Sequence, residues 1–236
     1  MSGLTIFLYE WKHFTRNPFK IIAVLLFIIA GIYGLHNGYI LYQNHTTEIE
    51  KIQEKIATEK QKYLTQYEEG KLTDKNRPWI DMSAPFWAIW NTPTYHLKTP
   101  SPVMVYSIGQ AEQYGFYKRV TFWASPYDAD MAEEIANPER LQTGTLDFAF
   151  VLLFLAPLLL LILLYNLKST EAEQGFLPLI EVQAVSKNSW LLARILFYVL
   201  LTALVIICLL IYGAILTNVF NTAREAFGLM LLYSLL

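Results

Sequence analysis

Long apolar runs separated by polar segments dominate the pattern of this chain. Three of them reach the roughly 20 residues that a helix needs to cross a bilayer. They predict transmembrane spans at residues 20–42, 146–166 and 191–217. A fourth run starts at residue 226 and stops at residue 236, about half of what a crossing requires. We therefore expect residues 226–236 to be the start of a truncated fourth span, and the chain to be part of a longer protein.

A short amphipathic segment precedes the first span at residues 1–18. Its apolar residues recur at three- and four-residue steps, and Glu10, Lys12 and Arg16 fall between them. The apolar set is Leu4, Phe7, Leu8, Trp11 and Phe14. This spacing predicts a helix lying in the cytoplasmic interface, which ends where Asn17 precedes Pro18. The alternative is that these residues extend the first span.

The longest polar segment, residues 43–145, predicts a separate domain. Residues 47–70 favour a helix whose heptad-like stripe would either bind a partner as a stalk or pack on its own domain. The stripe consists of Ile49, Ile52, Ile56, Tyr63 and Tyr67. Aromatic residues and prolines at 78–102 would form a domain core, a ligand pocket or a contact with lipid headgroups. Residues 103–120 favour a strand or two and residues 128–135 a helix, so an α+β domain is expected.

Composition and basic residues give the class and the orientation. The chain is 54% hydrophobic and only 16% charged, whereas about a quarter of the residues in soluble domains are charged. Basic residues in short loops mark the cytoplasmic side, and here they lie before the first span and beside the linker at residues 167–190. They are Lys12, Arg16, Lys20, Lys168, Lys187 and Arg194. The sequence thus predicts a mainly α, polytopic helical membrane protein with a cytoplasmic N-terminus and an α+β extracytoplasmic domain (43–145) inserted between the first and second spans.

The sequence lacks the common catalytic motifs. It has no Gly-rich phosphate loop, no paired-histidine zinc helix and no Gly-x-Ser-x-Gly turn. Cys208 is the single cysteine, which excludes an internal disulfide, and a net charge of −2 offers no basic face for nucleic acid. The histidines are scattered without metal-ligand spacing: His13, His36, His45 and His96. We expect no enzyme activity, no catalytic residue, no metal and no cofactor in this chain.

Small, polar and kinking residues stand out inside the spans. A ridge of glycines in the first span favours close helix packing. The ridge consists of Gly31, Gly34 and Gly38. His36 and Asn37, near the outer end of this span, would line a cavity or cap a helix contact. Pro157 interrupts the hydrogen-bond ladder of the second span and predicts a kink, which is either a hinge or a structural bend.

The linker at residues 167–190 carries the most specific short pattern. Ser169 is placed to cap a helix whose first turn holds Glu171 and Glu173, and Gly175 ends or bends that turn. An apolar set follows: Phe176, Leu177, Leu179 and Ile180. An acidic turn followed by apolar residues is typical of a docking element. The alternative is an interfacial hairpin that only joins two spans.

Together these patterns resemble the ABC-2 type transporter permeases, specifically a branch with a large extracytoplasmic insert between the first two spans. The similar stretches are Glu10 through Arg16, Tyr106-Ser107-Ile108-Gly109-Gln110, Asn137-Pro138 with Leu141 and Gly144, Leu146-Asp147-Phe148-Ala149-Phe150-Val151, Pro157, Tyr165-Asn166, and Glu171 with Glu173 and Gly175. The resemblance covers most of the chain, although such permeases usually have more spans than this sequence contains. It implies that the loop after the second span is a coupling helix, which docks in a groove of a separate ATP-binding subunit.

The resemblance also implies a function. The chain would be the permease subunit of an ATP-driven transporter in the cell (inner or cytoplasmic) membrane. Its partners would be a cytoplasmic ABC ATPase, a second permease copy or homologue, and membrane lipid. The residues implied in ATPase coupling are Glu171, Glu173, Gly175, Phe176 and Leu177. The alternative is a non-transporting membrane scaffold or sensor whose extracytoplasmic domain binds a partner.

Overall fold

The computed structural model describes residues 3–69, 79, 85–91, 94–109, 116–120, 146–173, 175, 178, 182 and 187–217. Of these residues 85% are helical, as the prediction of a mainly α protein requires. The chain forms two compact units. We call one the helical unit, which consists of Met1–Gly38, Val105–Ser107 and Leu146–Leu236, and the other the insert unit, which consists of Tyr39–Met104 and Ile108–Thr145. The predicted fourth span at 226–236 and the predicted helix at 128–135 lie outside the described residues.

Two helices begin the chain, with a single residue between them. Helix α1 spans Gly3–Arg16 and helix α2 spans Pro18–Glu68. The side chain of Asn17 accepts a hydrogen bond from the amide of Lys20 at 3.3 Å, and thus caps the start of α2. Pro18 occupies the first helical position, where a missing N–H breaks no hydrogen bond. The chain therefore changes helix at the Asn17–Pro18 step, as predicted.

Helix α2 is continuous over 51 residues and about 76 Å long, at a rise of 1.5 Å per residue. Residues 47–70 were predicted to form a helix of their own after the first span, whereas residues 47–68 continue the helix of that span without a break. Polar residues are tolerated in a helix, and neither glycine nor proline occurs between Gly38 and Gly70 to break it. The apolar and the polar parts therefore form one rod.

Three further helices complete the described part of the helical unit. Helix α4 spans Phe148–Leu164, helix α5 spans Ser169–Glu173 and helix α6 spans Lys187–Leu216. Asp147 caps α4, because its carboxylate accepts a hydrogen bond from the amide of Phe150 at 2.8 Å. Helices α1 and α4 both pack against α6. The buried apolar residues of the helical unit include Phe27, Leu35, Val151, Leu163, Phe197 and Leu209.

Helix α4 contains a π-helical turn at Val151–Leu155, directly before Pro157. Within it the amide of Ala156 donates to the carbonyl of Val151, five residues back instead of four. A proline has no N–H, and its ring crowds the carbonyl four residues earlier in a regular helix. The wider turn relieves this crowding. The irregularity predicted at Pro157 thus takes the form of a π-turn on its N-terminal side.

Within the described residues, two helices, α2 and α6, are long and apolar enough to cross a membrane, and α4 is apolar but shorter. Only 33% and 28% of the most apolar stretches of α2 and α6 are buried inside the protein. Most of their apolar side chains therefore face outward, whereas the core helix of a soluble protein is mostly covered.

The insert unit contains a short helix and a two-stranded sheet. Helix α3 spans Pro85–Asn91, strand β1 spans Thr94–Leu97 and strand β2 spans Tyr117–Val120. The strands pair antiparallel, with Thr94 opposite Val120 and Leu97 opposite Tyr117. Strand β2 lies in the range predicted for strands, whereas β1 was missed because its residues lie within the aromatic and proline-rich stretch at 78–102. The rings of Phe86, Trp87 and Trp90 in α3 lie 5.0–6.1 Å apart, and His45 stacks on Phe116 at 4.3 Å.

Candidate functional site

Arg194 on α6 lies at the centre of a buried group of charged side chains in the helical unit. Its Nε is 2.5 Å from Oε1 of Glu10, and its Nη1 is 2.5 Å from Oε1 of Glu171. The same Nη1 also donates to the carbonyl of Leu167 at 2.9 Å. A guanidinium presents five N–H donors in a planar fork, so one arginine can serve several acceptors. Arg194 thereby joins α1, α5 and α6.

Glu10 of α1 is buried, although the sequence placed it among the polar residues between the apolar positions of this helix. Glu10 is 0% exposed and Ile6, one turn earlier, is also buried. α1 therefore packs through the face that carries Glu10, because the ion pair with Arg194 offsets the cost of burying a carboxylate. Within the predicted apolar set, Phe14 is buried, whereas Leu8 and Trp11 are 58% and 51% exposed.

Lys20 and Tyr198 extend the charged group to α2. Lys20 is 3% exposed, and its Nζ donates to the Tyr198 hydroxyl at 3.0 Å and lies 4.3 Å from the centre of that ring. Two acids and two bases, Glu10, Glu171, Lys20 and Arg194, therefore share this region and balance in formal charge. We call these four residues and Tyr198 the charge cluster. Balance matters because a single uncompensated charge in a low-dielectric interior is strongly destabilising.

Two groups at the edge of the charge cluster have shifted pKa values. Burial raises the pKa of the Glu171 carboxyl, and the nearby Arg194 opposes this shift. Burial lowers the pKa of His13, the attraction of Glu10 opposes that change, and Lys20 and Arg194 reinforce it. His13 is therefore neutral at neutral pH and adds no charge to the cluster.

The predicted coupling residues have different surroundings. Glu171 is part-buried and paired with Arg194, whereas Glu173 is exposed. Gly175 has a φ of +72°, a backbone conformation that favours glycine. The other two predicted coupling residues lie outside the described ranges: Phe176 and Leu177. The acidic turn is thus not uniformly exposed, because one of its two carboxylates belongs to the protein interior.

Ser169 does not occupy the predicted capping position. It is the first residue of α5, and its hydroxyl donates to the side chain of Asn166. The short connection from α4 to α5 is instead held by backbone contacts, in which the amide of Leu167 donates to Leu164 and the amide of Ala172 to Lys168, both at 3.2 Å. These contacts place Glu171 beside Arg194.

The three glycines of the predicted packing ridge each face a different neighbour. A Cβ atom on Gly31 would lie 2.5 Å from a side-chain methyl of α6. A Cβ atom on Gly34 would lie 2.9 Å from the peptide joining Asp147 and Phe148, and one on Gly38 would collide with the backbone of Val105. Gly34 and Gly38 therefore lie against backbone atoms, whereas Gly31 lies against a side chain of α6.

Sequence reasoning missed the charge cluster. Lys20 and Arg194 served only as markers of the cytoplasmic side, and Glu10 was placed on a polar helix face. The available signal was the presence of bases near the ends of two apolar helices, where an unpaired charge is costly, together with one acid in α1. A predicted ion pair between these opposite charges would have identified part of the cluster.

Within the described ranges, no group of three or more His, Cys, Asp or Glu side chains could hold a metal ion. Comparison with protein-family models, curated proteins and solved structures finds no match to this chain. The function of the charge cluster must therefore be argued from its own geometry and from the motifs in the sequence.

Proposed function

We propose that this chain is the transmembrane permease subunit of an ATP-driven transporter of the ABC-2 type. A separate cytoplasmic ATPase would drive movement of the substrate through it. The outward-facing apolar surfaces of α2 and α6 suit a bilayer, where a helix satisfies all of its backbone hydrogen bonds internally. The motifs around residues 146–175 support the ABC-2 type, because they are similar to those at the second span of such permeases.

In this arrangement the protein is polytopic, and α2, α4 and α6 each cross the cell membrane. α4 lies at the lower limit of the roughly 17–25 residues that a crossing helix uses. α1 lies in the cytoplasmic interface, where Leu8 and Trp11 contact lipid, and residues 43–145 are extracytoplasmic. The basic residues near the charge cluster support a cytoplasmic location for it.

The observation that carries the proposal is the connection of α5 to α1 and α6 through Arg194. α5 occupies the loop in which the resemblance expects a coupling helix. An ATPase that displaces α5 would pull on Glu171, and through Arg194 on Glu10. Separating these buried charges is costly, so α1 and α6 would follow α5 instead of staying in place. The loop would thus transmit movement to the helices.

The exposed acid of α5 is the contact offered to the ATPase. Glu173 is exposed, whereas Glu171 is paired inside the helical unit. Reversing the charge of Glu171 would therefore disturb the fold as well as any partner contact. Glu173 gives the cleaner test, because its side chain has little internal role to lose.

The experiment is affinity purification of the full-length chain from its native membrane, followed by identification and quantification of the bound ATPase. Glu173→Lys should weaken capture about tenfold, which corresponds to roughly 1.4 kcal/mol. Glu54→Lys, on the exposed polar part of α2, is the matched charge reversal and should leave capture unchanged. Glu171→Gln should retain the ATPase, because this residue faces Arg194. Undiminished capture by the Glu173 variant would contradict the proposed docking contact.

The same purification discriminates the alternative function. A membrane scaffold or sensor would be recovered without an ATPase and with a partner bound to its extracytoplasmic domain. That result would replace the permease proposal.

A further inference from the structure

Three residues, Val105–Ser107, leave the insert unit and belong to the helical unit. The chain on either side of them, up to Met104 and from Ile108 onward, belongs to the insert unit. Val105 is completely buried and Tyr106 is 6% exposed. The chain thus enters the helical unit at an interior point of the insert sequence, in addition to the two ends of the insert. We call Val105–Ser107 the pin.

Tyr106 bonds to two helices at once. Its hydroxyl donates to the carbonyl of Leu210 on α6 at 2.8 Å, and its own carbonyl accepts the amide of Ala149, in the first turn of α4, at 3.0 Å. First-turn amides have no partner within their helix, so this bond gives the start of α4 a second cap beside that of Asp147. Burial raises the pKa of the Tyr106 phenol, which keeps the hydroxyl a donor.

Glycines make room for the pin on two helices. A Cβ atom on Gly38 of α2 would collide with the carbonyl of Val105, and a Cβ atom on Gly213 of α6 would lie 2.7 Å from the Tyr106 ring. Gly213 is the residue that makes this approach possible on α6, because any larger side chain meets a rigid ring. The three residues of the pin therefore contact α2, α4 and α6. A side chain larger than hydrogen at Gly38 or Gly213 would disturb the pin.

We propose that the pin transmits movement between the insert and the three apolar helices, and that Tyr106 is its positioning residue. A pull on the insert reaches the start of α4 through the Tyr106 carbonyl and reaches α6 through the Tyr106 hydroxyl. Because both bonds belong to one residue, α4 and α6 receive the displacement together. The extracytoplasmic role of the insert rests on the proposed function, whereas the mechanical connection does not require an ATPase.

The test uses the full-length chain in lipid nanodiscs and an antibody fragment selected against the paired strands β1 and β2 of the insert. Hydrogen exchange of the amides at residues 148–151 of α4 and 210–214 of α6 is measured with and without the fragment. Binding to the wild-type chain should change the exchange in both segments by about two- to tenfold, the range set by one hydrogen bond. Tyr106→Phe keeps the backbone carbonyl that accepts the Ala149 amide and loses only the hydroxyl that donates to Leu210, so it should retain the change in α4 and reduce the change in α6 to less than half. Gly213→Ala, which displaces the Tyr106 ring, should also reduce the change in α6, with unaltered affinity for the fragment.

Matched controls separate transmission from general loosening. Tyr212→Phe removes a hydroxyl one residue before Gly213, and Gly31→Ala adds a methyl against a flexible leucine side chain. Both variants should show the same change in amide exchange on binding of the fragment as the wild type, even if they lower the melting temperature slightly. A change in α6 exchange that is as large in Tyr106→Phe as in the wild type, or no change in the wild type, would overturn the proposal. The exchange experiment contains no ATPase. Its result therefore stands even if the purification of the full-length chain captures no ATPase.

Discussion

Replacing Arg194 by methionine tests the charge cluster most severely. Methionine approximates the length of the arginine side chain but removes all five donors, so the buried Glu10 loses the guanidinium that pairs with it. Removing one partner of a buried ion pair typically costs about 3–5 kcal/mol. Glu10 at 0% exposure meets this condition fully, whereas the part-buried Glu171 can recover some hydration. We therefore expect Arg194→Met to lose about 3–5 kcal/mol of unfolding free energy.

The assay is thermal and denaturant unfolding of the purified chain in detergent micelles, followed by tryptophan fluorescence. At about 2–4 °C per kcal/mol for a chain of this size, the melting temperature should fall by roughly 6–20 °C. Lys168→Met is the matched control, because it removes an exposed base near the same helices and should cost less than about 0.5 kcal/mol.

A double variant separates the lost ion pair from lost packing. Glu10→Leu combined with Arg194→Met removes both charges of this pair and should recover at least half of the stability lost by the single variant, because an apolar pair needs no compensation. A single variant as stable as the wild type, or a double variant without recovery, would refute the argument that Arg194 stabilises a buried Glu10.

Three other variants test separate parts of the helical unit. His13→Gln should flatten the loss of stability on acidification: the folded pKa of His13 lies below its ordinary value of 6.5, so its contribution is present above pH 6.5 and is lost as the pH falls through the folded pKa. Unfolding midpoints measured across that range check this, and an unchanged slope would contradict it. Asp147→Ala should lose about 0.5–2 kcal/mol, measured by denaturant unfolding, because α4 loses its side-chain cap; an effect within error would show that the cap is dispensable. Gly38→Ala should lower the melting temperature more than Gly31→Ala, because its Cβ meets backbone while that of Gly31 meets a flexible side chain; equal shifts would argue against the pin.

The helices themselves could be predicted from the sequence, since apolar runs and capping signals are local. Asn17 and Pro18 set the start of α2, and Pro157 marks the π-turn in α4. The continuity of α2 was missed because the change from apolar to polar composition was taken for a helix boundary. A change in side-chain polarity does not end a helix, whereas glycine and proline disfavour its backbone conformation.

The charge cluster and the pin could not be predicted in the same way, because both depend on contacts between distant residues. Lys20 and Tyr198 are 178 residues apart, and Tyr106 and Leu210 are 104 residues apart. Hydrophobic periodicity also misplaced Glu10, since an ion pair with Arg194 reverses the rule that charged residues face outward. Local patterns contain no information about which opposite charge will be close in the fold.

Photocrosslinking from α5 in intact native membranes tests the central claim most directly. A benzophenone amino acid placed at Glu173 should capture an ATP-binding subunit, and the same group at Glu54 on α2 should not. This result would place the ATPase at the exposed acid beside the charge cluster. Capture of no ATPase at Glu173, or of a partner that is reachable only from outside the cell, would contradict the proposed coupling.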